Sequence, residues 1–105
     1  MLNKKQITNI KTSLDIDSTG LPLVFQALGD PGRFNIFRML IDKHDVCVTD
    51  VANVFGITVS AASQQLRILE RLSLVLKVRM GQMVCYELNK ENSVVKKLIQ
   101  FLRSN

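Results

Sequence analysis

The sequence has little of the equipment that enzymes and metal proteins use for chemistry. Among its 105 residues there is no tryptophan, one histidine and only two cysteines. It contains no glycine-rich phosphate loop and no nucleophile that can be matched with a base, so nothing in it supports catalysis. We therefore expect neither an enzyme nor a protein with a cofactor.

Long apolar runs are missing as well. No stretch approaches the roughly 20 apolar residues of a membrane span, and no apolar run of a signal peptide follows the charged N-terminus. These absences predict a cytoplasmic protein that does not contact a membrane. Because the cytoplasm is reducing, they also argue against a structural disulfide between Cys47 and Cys85.

The plentiful residues are aliphatic or basic. Hydrophobic residues make up 47% of the chain and aromatic residues only 6%, so leucine, valine and isoleucine must fill the core of a single folded domain. The net charge of +5 predicts an acidic partner, of which nucleic acid is the commonest. Charge by itself does not distinguish proteins that bind nucleic acid from other basic proteins.

Hydrophobic spacing predicts three helices in the first part of the chain. The N-terminal arm has apolar residues at helical spacing, at Ile7, Ile10 and Leu14. Ser18 or Thr19 is a candidate cap for the helix that has Pro22 in its first turn. Asp30 caps the helix at residues 31–42, which is apolar on nearly every side and so belongs in the middle of the core.

Residues 46–66 carry the most informative local pattern. Residues 46–48 favour a β-strand, and Thr49 is the predicted N-cap of a short helix that turns three apolar residues inward, Val51, Val54 and Phe55. Gly56 suits the left-handed residue that ends a helix, and Thr58 can cap the next one. Two helices joined by so tight a turn with a glycine indicate a helix-turn-helix.

The second helix of this pair, at about residues 59–72, has two distinct faces. Its inward face carries Ala62, Leu66 and Leu69. The opposite face has hydrogen-bonding groups and cations but no large apolar group; we call it the polar stripe, and it consists of Ser60, Gln64, Arg67 and Arg71. A helix needs such a stripe to enter the major groove of DNA, whereas the competing interpretation is a merely solvated face.

A hairpin follows this helix directly. Residues 74–79 and 82–88 read as two strands around Gly81, with Lys77 and Arg79 near the tip. A hairpin in this position is a wing, and its cations would lie against phosphates.

The last helix, from a cap at Asn89 to about Arg103, is apolar over a wide arc. The residues of that arc are Val94, Val95, Leu98, Ile99, Phe101 and Leu102. Packing against its own domain alone would use a narrower apolar face. The additional apolar surface predicts that a partner helix packs against it.

Four segments follow one another with spacings that fit a known family. They are ALGDPGRF at residues 27–34, DVCVTDVA at 45–52, GITVSAASQQL at 56–66 and KVRMGQMVCYEL at 77–88. Together they resemble the ArsR/SmtB family of bacterial winged-helix repressors. The third segment departs from the family pattern, since Gln65 stands where histidine is usual.

The resemblance implies a mainly α-helical winged helix-turn-helix with a small β-hairpin wing, in the order helix, helix, strand, helix, helix, strand, strand, helix. It also implies a homodimer built from the first and last helices, and repression that an inducer relieves. Residues 1–18 are then the dimer-forming arm, 19–105 the DNA-binding domain and about 89–103 its dimerisation helix. The expected interface residues are Ile7, Ile10, Leu14, Val94, Val95, Leu98, Ile99 and Leu102.

Contacts to double-stranded DNA are expected from the second helix of the helix-turn-helix and from the wing. The candidate residues are Thr58, Ser60, Ser63, Gln64, Gln65, Arg67, Arg71, Lys77, Arg79 and Gln82. Arginine is the best reader of guanine, and glutamine can pair with adenine.

The metal sites of the family are not matched. One uses a Cys-x-Cys pair, but here Cys47 is followed by Thr49 at the second position, and the arm has no cysteine. The other uses carboxylates and histidines of the last helix, where Glu91 is the only acid of residues 89–105. Since a thiophilic metal needs about three soft ligands, we expect no metal site and interpret His44 as a loop residue.

The regulatory signal is left open. Cys47 and Cys85 could simply be packed in the core. In a winged helix, however, their two strands pair, so oxidation could link the thiols and tilt the wing unless opposite pleat directions keep them apart. The alternatives are a regulator controlled by its abundance or by a partner protein, and a winged helix that serves only protein–protein contact.

Overall fold

The computed structural model describes residues 1–15 and 20–104, and in these ranges it has six helices and three strands. The helices are α1 (Lys4–Asp15), α2 (Leu21–Leu28), α3 (Pro31–Asp42), α4 (Val48–Phe55), α5 (Val59–Arg71) and α6 (Ser93–Arg103). The strands are β1 (Val46–Cys47), β2 (Val75–Met80) and β3 (Met83–Leu88). The mainly helical fold with a hairpin wing is confirmed. The three helices before the first strand agree with the hydrophobic spacing, whereas the order implied by the resemblance has two. Of the described helices, none has the length and apolar character needed to cross a membrane.

Helix α3 lies at the centre of the core, as its apolar circumference predicted. Its four buried residues are Ile36, Phe37, Leu40 and Ile41. The Asp30 side chain caps the helix by accepting a hydrogen bond from the Arg33 N–H at 3.0 Å, which satisfies one of the N–H groups that a first turn leaves open. The predicted cap of the preceding helix falls on Ser18 and Thr19, which lie outside the described residues; α2 begins directly after Gly20.

The prediction that Thr49 caps α4 is wrong. The helix already begins at Val48, and its N-cap is Cys47, the last residue of β1. The Asp50 carboxylate accepts a hydrogen bond from the Cys47 N–H at 2.9 Å. Because the strand runs straight into the helix, no loop residue is left to act as a cap, and Thr49 lies inside the first turn.

The inward face of α4 also differs from the prediction at one position. Val48, Val51 and Ala52 are buried, whereas Val54 is 62% exposed. At about 100° per residue, the centre of the buried face falls between Val51 and Ala52, and Val54 lies roughly a third of a turn away from it. Phe55 is half-buried and packs against the core, as predicted.

The turn between α4 and α5 follows the prediction. Gly56 is left-handed, with a φ of 63°, a conformation that costs glycine nothing because it has no Cβ. Thr58 caps α5 by accepting a hydrogen bond from the Ala61 N–H at 3.0 Å. The inward face of α5 is fully buried, at Ala62, Leu66 and Leu69, so the polar stripe faces outward.

The three strands form an antiparallel sheet in the order β1-β3-β2. In the β1–β3 pair, Val46 lies opposite Tyr86 and Cys47 lies opposite Cys85. Paired residues point to the same face of a sheet and neighbours alternate, so both cysteines lie on the face opposite to Tyr86. They form a disulfide. The expectation of unbonded cysteines is therefore wrong, because this register sets the two side chains against each other.

The prediction that Asn89 caps the last helix is also wrong. The N-cap of α6 is Asn92, whose side-chain oxygen accepts hydrogen bonds from the N–H groups of Val94 and Val95 at 2.8 and 3.4 Å. The side-chain amides of Asn89 and Asn92 both donate to the Ser73 carbonyl at 3.0 Å. The side chain of Asn89 thus binds the turn that follows α5, at Ser73, which is 16 positions away in the sequence.

Two valines of α4 test which face of this helix packs against the core. We expect Val51→Ala to lower the free energy of unfolding by about 2 kcal/mol, because a fully buried side chain loses two methyl groups and leaves a cavity. The matched control Val54→Ala makes the same chemical change on the exposed side and should alter stability by less than about 0.5 kcal/mol. Urea denaturation followed by circular dichroism measures both; equal losses would contradict the assigned faces.

Candidate nucleic-acid interface

The polar stripe lies open on the outer face of α5. Its four residues are exposed and line one shallow depression of about 250 Å³. Ser63 is half-buried beside them, and its carbonyl accepts a long hydrogen bond, 3.4 Å, from Arg67 Nε. A bond of this length is weak, so an acceptor on a ligand can readily replace it. The stripe is therefore available to hydrogen-bonding partners.

A cleft of about 450 Å³ separates α5 from the wing. Arg67 borders this cleft as well as the stripe depression. Other polar residues of the cleft come from α4, α5 and the hairpin, and they are Thr49, Ser63, Lys77, Gln82 and Tyr86. With a cation on each wall, the cleft suits the phosphate backbone that runs beside a major groove.

Within the wing, Lys77 does not lie near the tip as predicted. It is in the middle of β2, directly opposite Tyr86, and its Nζ lies 4.0 Å from Glu70 Oε1 on α5. Arg79 and Gln82 are exposed closer to the end of the hairpin. The wing therefore carries one cation that faces α5 and one that is directed towards solvent.

Sequence reasoning missed Glu70, which makes the contact to Lys77. An acidic residue on a helix expected to approach phosphates was the signal that could have revealed it, since Glu70 is the only acid of α5. Its carboxylate lies across the boundary between the helix and the wing, where it makes an exposed ion pair that adds little to stability. The pairing also lowers the positive charge that Lys77 can offer to a phosphate.

Arg33 is a second positioning residue that sequence reasoning missed. Its Nε donates a hydrogen bond to the Ala27 carbonyl at 2.9 Å, and its Nη1 donates one to Gln65 Oε1 at 3.0 Å. The guanidinium thus ties α5 to the C-terminal end of α2. Gln65 is half-buried in this contact, so it is not brought together with the other expected DNA contacts.

Tyr86 connects the core to this surface. Burial raises the pKa of its hydroxyl above the ordinary value of 10.0, the charge of Glu70 raises it further, and the charge of Arg67 lowers it in part. The phenol therefore senses both charged residues of α5 that border the wing.

The residues expected at a dimer interface differ in their exposure. On α1, Ile7, Ile10 and Leu14 are all exposed. On α6, the half-buried residues are Val94, Leu98, Ile99 and Leu102. Val95 is fully buried in the core of its own subunit and so offers no surface to a partner.

His44 is exposed in the loop before β1. Within residues 1–15 and 20–104, no group of three or more histidine, cysteine, aspartate or glutamate side chains is placed to hold a metal ion. The candidate site of the described chain is thus the surface formed by α5 and the wing.

Comparison with known proteins identifies the family. The model of the bacterial regulatory proteins of the arsR family matches residues 30–77. A Halobacterium salinarum protein that carries the name arsenical resistance operon repressor is 30% identical over 95 residues, which cover 89% of this chain and 80% of that protein. The chain belongs to the ArsR family. This is a family of transcriptional regulators and not of enzymes.

A further relative agrees with the assignment to the ArsR family, and solved structures agree with the fold. A homolog of the cadmium resistance regulatory protein CadC from Staphylococcus aureus is 36% identical over 77 residues, which cover 73% of this chain but only 62% of that protein. Reduced HlyU from Vibrio cholerae has a TM-score of 0.74 at 27% identity, covering 88% of this chain and 94% of that one. A homodimeric winged helix-turn-helix DNA-binding domain from Mycobacterium bovis has a TM-score of 0.69 at 19% identity, covering 99% and 86%. The predicted winged helix-turn-helix is confirmed.

Titration of Tyr86 tests the arrangement of the wing against α5. It is the only tyrosine and there is no tryptophan, so the ultraviolet absorbance of phenolate reports this residue alone. We expect a pKa above 10.0, which Glu70→Gln lowers and Arg67→Gln raises. Because the folded pKa is the higher one, the contribution of Tyr86 to stability is complete below the unfolded pKa and is lost as the pH rises through the folded pKa. An unchanged pKa in Glu70→Gln would show that the wing is not held against α5.

Proposed function

We propose that this ArsR-family chain is a homodimeric repressor that acts in the cytoplasm and binds an inverted-repeat operator in double-stranded DNA. The observation that carries the proposal is the outward polar stripe on the second helix of a helix-turn-helix, beside a cleft with cations on both walls. In such proteins the helix reads base edges while neighbouring cations hold phosphates. Dimers of this class place their two helices about one turn of DNA apart, which accounts for the inverted repeat.

Base reading is proposed for four residues near the middle and N-terminal end of α5, namely Ser60, Ser63, Gln64 and Arg67. Arg67 can form two hydrogen bonds with guanine, and Gln64 can do so with adenine. Thr58 uses its hydroxyl to cap α5, so its proposed contact is to a phosphate. Gln65 is left out because Arg33 occupies its side-chain oxygen.

Phosphate contacts are proposed for the residues that flank α5. Arg71 lies at its C-terminal end, and Arg79 and Gln82 are exposed on the wing. Lys77 is expected to contribute less than Arg79, because Glu70 already lies within 4.0 Å of its ammonium group. Release of counterions from the DNA should make the affinity fall steeply with salt.

The proposed dimer uses α1 and α6. Helix α1 exposes an apolar stripe of Ile7, Ile10 and Leu14, and α6 has four half-buried apolar residues together with Phe101, which is 61% exposed. Apolar surface of this extent is stabilised by a second copy of the chain. The Mycobacterium bovis domain of similar fold is itself described as homodimeric.

As the regulatory signal, we propose a change in the oxidation state of Cys47 and Cys85, whose disulfide joins the helix-turn-helix to the sheet. A winged helix controlled only by a partner protein is the alternative. It predicts the same DNA affinity whether the cysteines are oxidised or reduced.

Selection of duplexes from a random pool tests the DNA-binding proposal. On the selected duplex, Arg67→Ala should cost about 1–3 kcal/mol and relax base preference, because a bidentate contact to a base is lost. Arg79→Ala should weaken all sequences alike and make the salt dependence shallower. Fluorescence anisotropy at several salt concentrations measures both effects.

The matched control is Arg103→Ala, which removes the same charge from an exposed position at the end of α6. It should leave base preference unchanged. The assignment of α5 as the reading helix fails if Arg67→Ala retains the wild-type affinity and preference.

The dimer is tested on α1. Ile10→Glu should shift the chain from dimer to monomer, because a carboxylate would have to be buried without a partner at the interface. Thr12→Glu adds the same charge on the opposite side of the helix and should leave the dimer intact. Sedimentation equilibrium distinguishes the two, and a dimer that persists in Ile10→Glu would exclude α1 from the interface.

A further inference from the structure

The Cys47–Cys85 disulfide sits where it can affect DNA binding. The two residues are directly opposite in the β1–β3 register, and their sulfurs are bonded. Cys85 has no exposed surface and Cys47 is 6% exposed. The bond therefore joins two closely packed strands and is nearly sealed from solvent.

Cys47 lies where the first strand meets the first helix of the helix-turn-helix. It is the last residue of β1, it is the N-cap of α4, and its N–H is held by the Asp50 carboxylate at 2.9 Å. Cys85 lies in β3, the central strand, which pairs with β1 on one side and with β2 on the other. A bond between the two sulfurs therefore anchors the first helix of the helix-turn-helix to the wing.

Only Cys47 of the pair reaches the cleft between α5 and the wing. It lines that cleft together with Ser63 and Arg67 of α5 and Lys77 of β2, whereas Cys85 does not line it. A reagent that enters the cleft thus meets Cys47 first. It does so beside the residues that we propose to contact DNA.

We propose that Cys47 is a peroxide-sensitive modification site, that Cys85 resolves it, and that the resulting disulfide fixes the wing for tight DNA binding. The part that concerns DNA rests on the proposed function. The β1–β3 pairing consists of only two residue pairs. The disulfide adds a covalent bond between these two strands.

The chemistry needs a peroxide and nothing else. The Cys47 thiolate attacks a peroxide oxygen, an S–O bond forms as the O–O bond breaks, and the alcohol or water leaves with a proton. Cys85 sulfur then attacks the Cys47 sulfenic acid, an S–S bond forms as the S–O bond breaks, and water leaves. The two sulfurs lose two electrons, and the peroxide gains them.

Burial selects the size of the oxidant. With Cys47 almost covered and Cys85 fully covered, a peptide disulfide cannot align its sulfurs with either thiol, because thiol–disulfide exchange requires access to the attacked sulfur. Hydrogen peroxide is not much larger than a water molecule and can enter the cleft. We therefore expect hydrogen peroxide to form the bond much faster than glutathione disulfide does.

The full-length chain in its reduced and oxidised states provides the test. Duplexes are selected from a random pool with each state separately, and the affinity for each selected duplex is measured by fluorescence anisotropy at one salt concentration. Thiol titration confirms the oxidation state. We expect the disulfide form to bind about tenfold more tightly, a coupling of ordinary size for two linked sites.

The order of the chemistry is tested with single alanine variants. In Cys85→Ala, peroxide should leave Cys47 as a sulfenic acid that a 1,3-diketone probe traps, whereas Cys47→Ala should give no adduct. Both variants should bind DNA like the reduced wild type with or without peroxide. If Cys85→Ala does not fold, brief labelling of the wild type followed by mass spectrometry identifies the first cysteine to react.

Each result bears on a different part of the proposal. Equal affinity in the two states, with oxidation complete, overturns the regulatory role while leaving the proposed function intact. Adducts on Cys85, or faster oxidation by glutathione disulfide, overturn the assignment of Cys47. A chain that enriches no duplex in either state refutes the proposed function and, with it, the link to DNA.

Discussion

The rotation of α5 about its own axis is the constraint on which the surface of this protein depends. Ala62, Leu66 and Leu69 have no exposed area, and burial of each leucine contributes about 2 kcal/mol. Turning the helix by one residue would expose this face and push Arg67 towards the core, where an unpaired guanidinium is far more costly than a lost leucine. Packing of the apolar face therefore fixes which side chains can meet a ligand.

Contacts from three other elements then set the position of that helix. Arg33 links it to α2 through Gln65 and the Ala27 carbonyl, and Glu70 links it to the wing through Lys77. The pKa of the buried Tyr86, on β3, responds to the charges of Glu70 and Arg67, which both lie on α5. The helix that carries the proposed base-reading residues thus lies in contact with the wing.

The apolar pattern and the turn residues were sufficient to predict most of the fold. Gly56 and Thr58 placed the helix-turn-helix, and Asp30 placed the start of α3, because these residues act within three positions of themselves. The errors at Thr49 and Asn89 have a common cause. In each case a second residue close by serves as the N-cap: Cys47, whose N–H donates to the Asp50 carboxylate, and Asn92, whose side-chain oxygen accepts from Val94 and Val95.

The sequence by itself determined the helix-turn-helix, the hairpin and the stripe, since each follows from local spacing and from the separation of apolar and polar side chains around a helix. Tertiary structure alone decided that Lys77 faces Glu70, that Gln65 turns towards Arg33, and that Cys47 meets Cys85 on one face of the sheet. These three contacts join residues 7, 32 and 38 positions apart. No periodicity within a single element can specify such pairs, because they depend on how strands are registered and how helices pack.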